Sequence, residues 1–304
     1  MDKGSVVLVT GANSGIGKAA AAGLASLGAN VVMLCRDCGR GEKALYDIRS
    51  QSGGSVELML CDLSSLKSVN SFCDEFLQKY DRLDALINNA GALNSVRRQT
   101  EDGFEMTLCV NYLAPFLLTQ RLLPLLQSSA PSRIINVSST AHRWGKIRFS
   151  DINVTKCYTS LKAYSQSKLA GLLFTYSLAK RLCGTGVSVN AVDPGIVGTD
   201  IVINRETGFG TLVSKAQKLL FKSPEKGSET IVWLASSPEA ESITGKFFVN
   251  NKAKSSCKRS YDADAAKRLW GLSERMTGLS GGDVEIDAGY YGDIEAGEEI
   301  EAEV

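Results

Sequence analysis

Short apolar runs alternate with amphipathic helical patterns along most of the chain. The first run, Ser5 to Thr10, is rich in β-branched residues, and a glycine turn and a helical pattern follow it. This alternation is typical of parallel strands joined by right-handed helical crossovers. We therefore predict an α/β fold, a single doubly wound domain with a parallel seven-stranded sheet and helices on both faces. The apolar runs span residues 5–10, 30–34, 55–60, 83–88, 133–139, 187–192 and 245–250, and the main helical patterns span 16–27, 66–80, 105–127, 164–182, 223–238 and 261–278.

Charge divides the chain into a basic body and an acidic tail. Residues 279–304 hold nine acids and neither Lys nor Arg, so residues 1–278 carry 34 basic against 24 acidic side chains. A basic body suits an anionic ligand, although most surface bases are simply solvated. An acidic segment that contains several glycines is typical of disorder. We predict one domain over residues 1–278 and a disordered tail over residues 279–304.

Composition also indicates the cellular compartment. No apolar run reaches the roughly 18 residues that a membrane span requires, and the chain enters a strand pattern within its first ten residues. The eight cysteines are scattered, without a C-x-x-C pair or neighbouring histidines. We interpret them as reduced thiols, and we expect a cytoplasmic protein without a bound metal.

The first strand ends in a glycine-rich turn. Gly11, Gly15 and Gly17 lie in "TGANSGIG", between the strand and its helix. Glycines here permit a tight turn and let the backbone approach a pyrophosphate, whose charge is met by the amides at the helix amino terminus. This position in the chain favours nucleotide binding over a merely structural turn.

The end of the second strand indicates which nucleotide is bound. A site for an unmodified ribose needs a carboxylate there, but this chain has Cys35 followed by Arg36. A guanidinium suits the 2′-phosphate of NADP, and the missing carboxylate removes a repulsion. The alternative is a solvated arginine whose charge Asp37 satisfies.

Tyr164 and Lys168 lie four residues apart in a helical pattern, on one face and about one turn apart. A nearby ammonium favours the phenolate form, so Lys168 is placed to draw the pKa of Tyr164 towards neutrality. Taken alone, this spacing more often reflects a packed tyrosine and a solvated lysine.

Five motifs occur together in one order: "TGANSGIG", "CDLSS", "INNAG", "NVSST" and "YSQSK". In this order and at these intervals they resemble the short-chain dehydrogenase/reductase family, which has a Rossmann-type fold. Within that family, "LCRD", "DGFEMTLCVNYLAPFLLT" and "LWGLSERMTGL" resemble the retinol dehydrogenase-like branch. The resemblance runs from about Val6 to Leu279.

The resemblance implies four catalytic residues. Tyr164 would be the general acid/base, Lys168 would lower its pKa and hold the nicotinamide ribose, Ser139 would bind the substrate oxygen, and Asn111 would anchor a proton-relay water. Ser138 competes with Ser139 for the serine role. The implied cofactor-binding residues are Gly11, Asn13, Ser14, Gly15, Ile16, Gly17, Arg36, Asp62, Leu63, Asn89, Ala90, Gly91, Tyr164, Lys168, Pro194, Gly195, Val197 and Thr199.

The resemblance therefore predicts an NADP(H)-dependent oxidoreductase that interconverts an alcohol and a carbonyl on a lipophilic substrate such as a retinoid. The alternatives are a broad-specificity carbonyl reductase and, in another class, a non-catalytic NADP-binding sensor or scaffold. We expect no nucleic-acid partner, and peripheral membrane contact and a homo-oligomer both stay open. The apolar stretch "PFLLTQRLLPLL" is interpreted as a buried or dimer-forming helix, and the segment between Gly195 and Pro224 is expected to close over the substrate.

Overall fold

The computed structural model describes residues 3–52, 54–195 and 222–279. The strands are β1 (Val6–Thr10), β2 (Asn30–Cys35), β3 (Val56–Leu60), β4 (Ala85–Asn88), β5 (Ser132–Val137), β6 (Val187–Asp193), β7 (Phe247–Val249) and β8 (Lys252–Lys254). The helices are α1 (Gly15–Ser26), α2 (Cys38–Ser52), α3 (Leu66–Lys79), α4 (Met106–Leu108), α5 (Ala114–Ser128), α6 (Ser160–Arg181), α7 (Pro224–Ser236) and α8 (Ala263–Thr277). This order confirms the predicted alternation of strands and helices.

All eight strands belong to one sheet with the order β3-β2-β1-β4-β5-β6-β7-β8. The order reverses between β1 and β4, which pair in parallel although two strand–helix units separate them in sequence. In a doubly wound sheet the crevice at such a reversal, outside the carboxyl ends of the strands, is the position where ligands bind. The predicted site residues follow β1, β2, β3, β4, β5 and β6, so the topology brings them to this edge.

The last strand corrects the predicted count of seven parallel strands. β8 pairs with β7 in the antiparallel direction, with Phe247 opposite Lys254. Asn250 and Asn251 connect the two strands, and both adopt positive φ angles of 52° and 59°. Two consecutive left-handed residues form the tight hairpin turn that matches the twist of antiparallel strands, and asparagine tolerates that conformation better than most residues. The "NN" pair was the sequence signal for this eighth strand.

The helical pattern over residues 105–127 is not one regular helix. The Glu105 carboxylate caps α4 by accepting hydrogen bonds from the amides of Thr107 and Leu108, at 2.9 and 2.7 Å. One π-helical turn, Cys109–Leu113, then separates α4 from α5. Such turns shift the backbone register and occur frequently at functional sites.

Helix α8 covers the face formed by α5 and α6. The Trp270 ring lies 5.2 Å from Phe116 and 5.8 Å from Phe174, between ring centroids, in an aromatic cluster. Phe116, Leu117 and Leu118 of α5 are fully buried. The apolar stretch of α5 is thus a buried helix, which was the first of the two interpretations, a buried or a dimer-forming helix. None of the helices in the three described ranges combines the length and apolarity of a membrane span.

Candidate active site

A cleft of about 800 Å³ lies at the carboxyl ends of the strands. It is bordered by the glycine turn, by residues that follow β2 to β6, and by the amino-terminal half of α6. Of the predicted site residues, the cleft is lined by Gly11, Asn13, Ser14, Gly15, Ile16, Gly17, Arg36, Asp62, Leu63, Asn89, Ala90, Gly91, Ser139, Tyr164, Lys168, Pro194 and Gly195. Val197 and Thr199, and with them most of the expected substrate-closing segment, lie outside the described residues.

The glycine turn requires glycine at specific positions. A Cβ atom on Gly17 would lie 2.3 Å from Nδ2 of Asn89 and 2.4 Å from the carbonyl oxygen of Gly11. Gly15 has a positive φ of 54°, which an L side chain rarely adopts. Ser14 precedes the first turn of α1 and makes no side-chain capping bond to it. The amides of that turn are therefore not satisfied by their own cap and can serve an anion.

Strands β1 and β4 are fixed to each other at the point where the cleft begins. The hydroxyl of Thr10 accepts hydrogen bonds from the amides of Asn89 and Ala90, both at 2.9 Å. The side-chain amide of Asn89 donates to the Thr10 carbonyl at 2.8 Å. These bonds hold the "NNAG" segment against the glycine turn and set the width of the cleft floor.

The adenosine end of the cleft, as the resemblance assigns it, carries the predicted arginine. The Asp37 carboxylate accepts a hydrogen bond from the Arg40 amide at 2.8 Å and pairs with the Arg40 guanidinium at 3.6 Å. Within the described residues, no hydrogen bond or ion pair involves the side chain of Arg36. Asp37 therefore serves Arg40, and the alternative in which Asp37 satisfies Arg36 does not hold. Cys35 is 1% exposed, and burial raises the pKa of its thiol to about 11, so it presents no negative charge.

Asp62 and Leu63 follow β3, the strand that pairs with β2. Oδ1 of Asp62 accepts hydrogen bonds from the amide and hydroxyl of Ser64, at 2.9 and 2.7 Å. The amide of Asp62 donates to the Ser68 hydroxyl at 3.0 Å. The loop is thus fixed by its own side chains, and it presents Asp62 and the buried Leu63 to the cleft.

Ser139 and Tyr164 meet at the other end of the cleft. Ser139 directly follows Ser138, which comes after β5, and Tyr164 lies in the second turn of α6. Burial raises the pKa of the Tyr164 phenol, and hydrogen bonding from the Ser139 side chain opposes that increase. Ser138 is also at the cleft but is nearly buried, and its hydroxyl has no partner among the described residues. The contact with Tyr164 favours Ser139 over Ser138 for the serine role.

Lys168 lies one turn after Tyr164 and is 6% exposed. Its ammonium donates to the Val137 carbonyl at 2.9 Å and lies 5.6 Å from the centroid of the Tyr164 ring. Burial lowers the pKa of Lys168 to about 8, and the Asp193 carboxylate acts in the opposite direction. The spacing of four residues thus brings the two side chains together, and the lysine is not solvated.

The direction of the Tyr164 shift differs from the expectation that Lys168 lowers its pKa. Burial dominates, and the nearby carboxylate of Asp193 adds to the increase. The Lys168 ammonium faces the ring and is hydrogen-bonded to a carbonyl, not to the phenol oxygen. Sequence spacing identifies two groups on one helix face, but it does not reveal how deeply the face is buried.

Asn111 lies in the π-helical turn, behind Lys168. Its side-chain oxygen accepts from the Ala92 amide at 2.6 Å, and its side-chain nitrogen donates to the Ala92 carbonyl and the Ser167 hydroxyl, both at 3.0 Å. A small cavity of about 20 Å³ adjoins Asn111 and Lys168, which is enough for about one water molecule. Both side-chain amide protons of Asn111 are used, whereas its side-chain oxygen accepts one bond and keeps a second lone pair. The role of Asn111 in anchoring a water stays a prediction.

Sequence reasoning missed Asp193 as a site residue. This carboxylate ends β6 and is 4% exposed. It accepts hydrogen bonds from the Thr140 hydroxyl at 2.5 Å and from the Gly195 amide at 2.8 Å. It therefore joins the turn after β5 to the turn after β6. An acid at the end of a buried strand, in "NAVDPG", was the available signal.

Comparisons with known proteins agree with this arrangement. A sequence model described as short chain dehydrogenase matches residues 5–208. The chain is 46% identical over 294 residues to human retinol dehydrogenase 14, covering 91% of this chain and 87% of that protein. It is 44% identical over 284 residues to human retinol dehydrogenase 13, covering 91% and 85%.

Solved structures agree with the fold. A protein of Mycobacterium paratuberculosis superposes with a TM-score of 0.73 at 34% identity, covering 91% of this chain and 96% of that one. A short-chain dehydrogenase of Shigella flexneri, solved in complex with NADP, superposes with a TM-score of 0.65 at 26% identity, covering 82% and 98%.

The chain belongs to the short-chain dehydrogenase family. Within that family it falls in the retinol dehydrogenase-like branch, as an oxidoreductase that interconverts an alcohol and a carbonyl.

Proposed function

We propose that this protein uses NADP(H) to interconvert a lipophilic, retinol-like alcohol and the corresponding carbonyl compound. The observation that carries the proposal is the convergence of Ser139, Tyr164 and Lys168 on one wall of a cleft. The opposite end of that cleft offers the uncompensated guanidinium of Arg36.

The residues of the cleft fit NADP(H). The amides at the start of α1 have no side-chain cap and can receive a pyrophosphate, and Arg36 supplies a cation for a 2′-phosphate. Two neighbours solved with NADP or NADPH, from Shigella flexneri and Escherichia coli, support the same cofactor. When bound, the nicotinamide supplies or accepts the hydride, and the protein provides the remaining chemistry.

The proton chemistry falls to Tyr164. In the reducing direction its hydroxyl donates a proton to the carbonyl oxygen while the carbon receives the hydride, so the carbonyl becomes an alcohol and Tyr164 a phenolate. The Ser139 hydroxyl holds the same oxygen by donating a hydrogen bond. The Lys168 ammonium, buried 5.6 Å from the Tyr164 ring, stabilises the negative charge that develops on the phenol. In the oxidising direction the same groups act in reverse order.

The substrate class is supported by apolar residues in the lining of the cleft. Leu93, Met106 and Val110 provide apolar side chains there, and the relatives that match over most of this chain are named retinol dehydrogenases. A retinoid is therefore the substrate that we propose. A broad-specificity carbonyl reductase is the competing function.

The decisive experiment follows NADPH oxidation by purified protein with retinal, steroid ketones, medium-chain aldehydes and quinones. We expect Tyr164→Phe to lower kcat by about 10²- to 10⁴-fold, the usual contribution of a general acid. Binding of NADPH should change little, because the ring is preserved. Tyr46→Phe is the matched control, since Tyr46 is 74% exposed on α2, and it should retain full turnover.

Three results would contradict the proposal. Retention of kcat in Tyr164→Phe would exclude Tyr164 as the acid/base. Equal kcat/KM for retinal and for small hydrophilic carbonyls would favour the broad reductase, and NADPH binding without turnover of any carbonyl would favour a sensor.

We also propose a cytoplasmic homo-oligomer that contacts membranes at most peripherally. The scattered, unpaired thiols support the cytoplasmic location, and the described helices, none of which could span a membrane, support peripheral contact at most. Fractionation of cells and sedimentation of the purified protein test the two parts, and membrane pelleting that resists high salt or a monomer at micromolar concentration would contradict them.

A further inference from the structure

His142 is the only histidine of the chain, and it lies three residues after Ser139 in a single 3₁₀ turn, Thr140–Trp144. The imidazole is completely buried. Its Nδ1 lies 2.7 Å from the carbonyl oxygen of Ser139, which also accepts the His142 backbone amide at 3.0 Å. His142 thus holds the Ser139 carbonyl with both its side chain and its backbone amide.

The second ring nitrogen contacts a distant part of the chain. Nε2 lies 3.1 Å from the backbone amide of Cys257, which donates to it. A carbonyl can only accept and an amide can only donate, so the two contacts permit one state of the ring, the neutral form with its proton on Nδ1. Burial lowers the pKa of His142, which agrees with a neutral ring.

Other contacts join the same two segments. The Cys257 thiol is 3.6 Å from the His142 carbonyl oxygen, and the Arg259 guanidinium donates to the Gly145 carbonyl. The Phe247 ring of β7 packs against the imidazole at 5.2 Å between centroids. The turn after Ser139 is therefore clamped to residues 257–259, which are remote from it in sequence.

The contacts of His142 restrict the direction in which the Ser139 hydroxyl can donate its proton. The Ser139 Oγ accepts a hydrogen bond from the Ala141 amide at 3.2 Å, so its own proton remains available to donate towards Tyr164 or a substrate oxygen. Rotation of the Ser139 peptide would move that oxygen and redirect the proton. The bond from Nδ1 opposes such a rotation.

We propose that His142 is a positioning residue for the reaction, whose neutral imidazole fixes the Ser139 main chain and couples it to the segment at Cys257. The inference rests on the proposed function, because it matters for turnover only if Ser139 binds the substrate oxygen. His142 touches neither substrate nor cofactor in this scheme. Its effect is to hold Ser139 where the hydroxyl can act.

The first test needs no activity. In the full protein labelled with ¹⁵N-histidine there is one imidazole, so its long-range ¹H–¹⁵N spectrum gives one unambiguous pattern. At pH 7 we expect the neutral tautomer with the proton on Nδ1. The opposite tautomer, or a protonated ring, would overturn the proposed pair of contacts whether or not the enzyme turns over retinal.

The second test distinguishes the effect of the Nδ1 contact from that of the Nε2 contact. The side-chain amide nitrogen of His142→Asn can approximate Nδ1 and donate to the Ser139 carbonyl. The side-chain amide oxygen of His142→Gln can instead approximate Nε2 and accept from the Cys257 amide. Loss of a neutral hydrogen bond corresponds to roughly a tenfold effect. We expect His142→Gln to lower kcat about tenfold with an unchanged KM for NADPH, and His142→Asn to lower it at most about threefold.

The Ser139→Ala background distinguishes failure of this inference from failure of the proposed function. Adding His142→Gln to Ser139→Ala should change the residual kcat by less than about twofold, because residues that act through one another are not additive. Full additivity, or equal losses in His142→Asn and His142→Gln, would mean a merely structural histidine. Normal turnover in Ser139→Ala alone would instead refute the role assigned to Ser139, while the spectrum would still report the contacts of His142.

Discussion

The two ends of the cleft are built differently. At the inner wall, Lys168 is 6% exposed, and His142, which lies outside the lining and holds Ser139, is 0% exposed. The nitrogens of both side chains are hydrogen-bonded to backbone groups. At the outer rim, the side chains of Arg40 and Asp37 are 58% and 47% exposed and form one loose pair. Arg36, beside them, is exposed and has no described partner.

This contrast indicates that the inner wall governs the chemical step and the rim governs the affinity for the cofactor. A buried site has a low effective dielectric, so charges there act strongly on each other and on pKa values. At the rim, solvent and salt screen the charges, so a single pair contributes little. Substitutions at the inner wall should therefore change turnover and its pH dependence. Substitutions at the rim should change cofactor binding and leave turnover of the saturated enzyme intact.

The largest effect is expected at Lys168. Lys168→Met keeps the bulk of the side chain but removes the charge beside Tyr164, and we expect kcat at saturating NADPH to fall by at least about 10²-fold. Steady-state kinetics measure this, with Lys180→Met, an exposed lysine near the end of α6, as the control. A loss confined to the KM for NADPH would show that Lys168 only holds the cofactor.

The same pair of variants tests the burial of Lys168 through stability. The pKa of Lys168 is about 8 in the folded protein against a reference of 10.5, so between these values the unfolded chain binds more protons. The free energy of unfolding of the wild type should therefore rise relative to Lys168→Met as pH increases from 8 to 10.5, by on the order of 3 kcal/mol. Below pH 8 the difference should level off. Denaturant titrations at several pH values measure it, and a flat difference would mean that the ammonium is solvated.

At the rim, substitution of Arg36 should weaken NADPH binding more than substitution of Arg40. A charged hydrogen bond contributes roughly 1.5 to 3 kcal/mol, so Arg36→Ala should weaken NADPH binding by about ten- to a hundredfold and leave NADH binding nearly unchanged. Cys35→Asp should reduce NADPH binding further and improve NADH binding, because a carboxylate repels the 2′-phosphate and accepts from a free ribose hydroxyl.

Dissociation constants for both cofactors at fixed ionic strength measure this prediction. Lys43→Ala is the matched control, since Lys43 is an exposed cation of α2. Equal affinities for NADH and NADPH in the wild type would remove the basis of the NADP assignment. A similar loss in Arg36→Ala and Lys43→Ala would mean that only the general positive field matters.

The contrast also explains what the sequence could predict. The glycine turn, the strand ends and the Tyr164–Lys168 spacing are local patterns, and local patterns determine which residues a parallel sheet brings to one edge. Their burial is a property of the packed structure, so the raised pKa of Tyr164 and the lowered pKa of Lys168 could not be read from spacing.

Two other features depended on contacts distant in sequence, and a third had only a short local signal. The π-helical turn at Asn111 depends on bonds to Ala92 and Ser167, and a helical apolar pattern does not register it. From the sequence alone His142 is an ordinary loop histidine, because its contact with Cys257 is visible only in the folded structure. The eighth strand did have a local signal, because two adjacent asparagines are turn formers, but a three-residue strand of "KAK" has no apolar face to mark it.

The smallest effect is expected at Arg40, which faces the same end of the cleft as Arg36. Its guanidinium already pairs with Asp37, and both side chains are about half exposed. Exposed pairs contribute about 0 to 1 kcal/mol, so Arg40→Ala should weaken NADPH binding less than about fivefold. Asp37→Asn should strengthen it by a similar factor, because it releases Arg40 and removes a negative charge from the rim. Both effects should shrink between 50 and 500 mM salt, concentrations that we choose to span roughly a threefold change in screening length. A loss in Arg40→Ala as large as that in Arg36→Ala would show that the two arginines hold the phosphate together, and that the pairing with Asp37 does not persist in the cofactor complex.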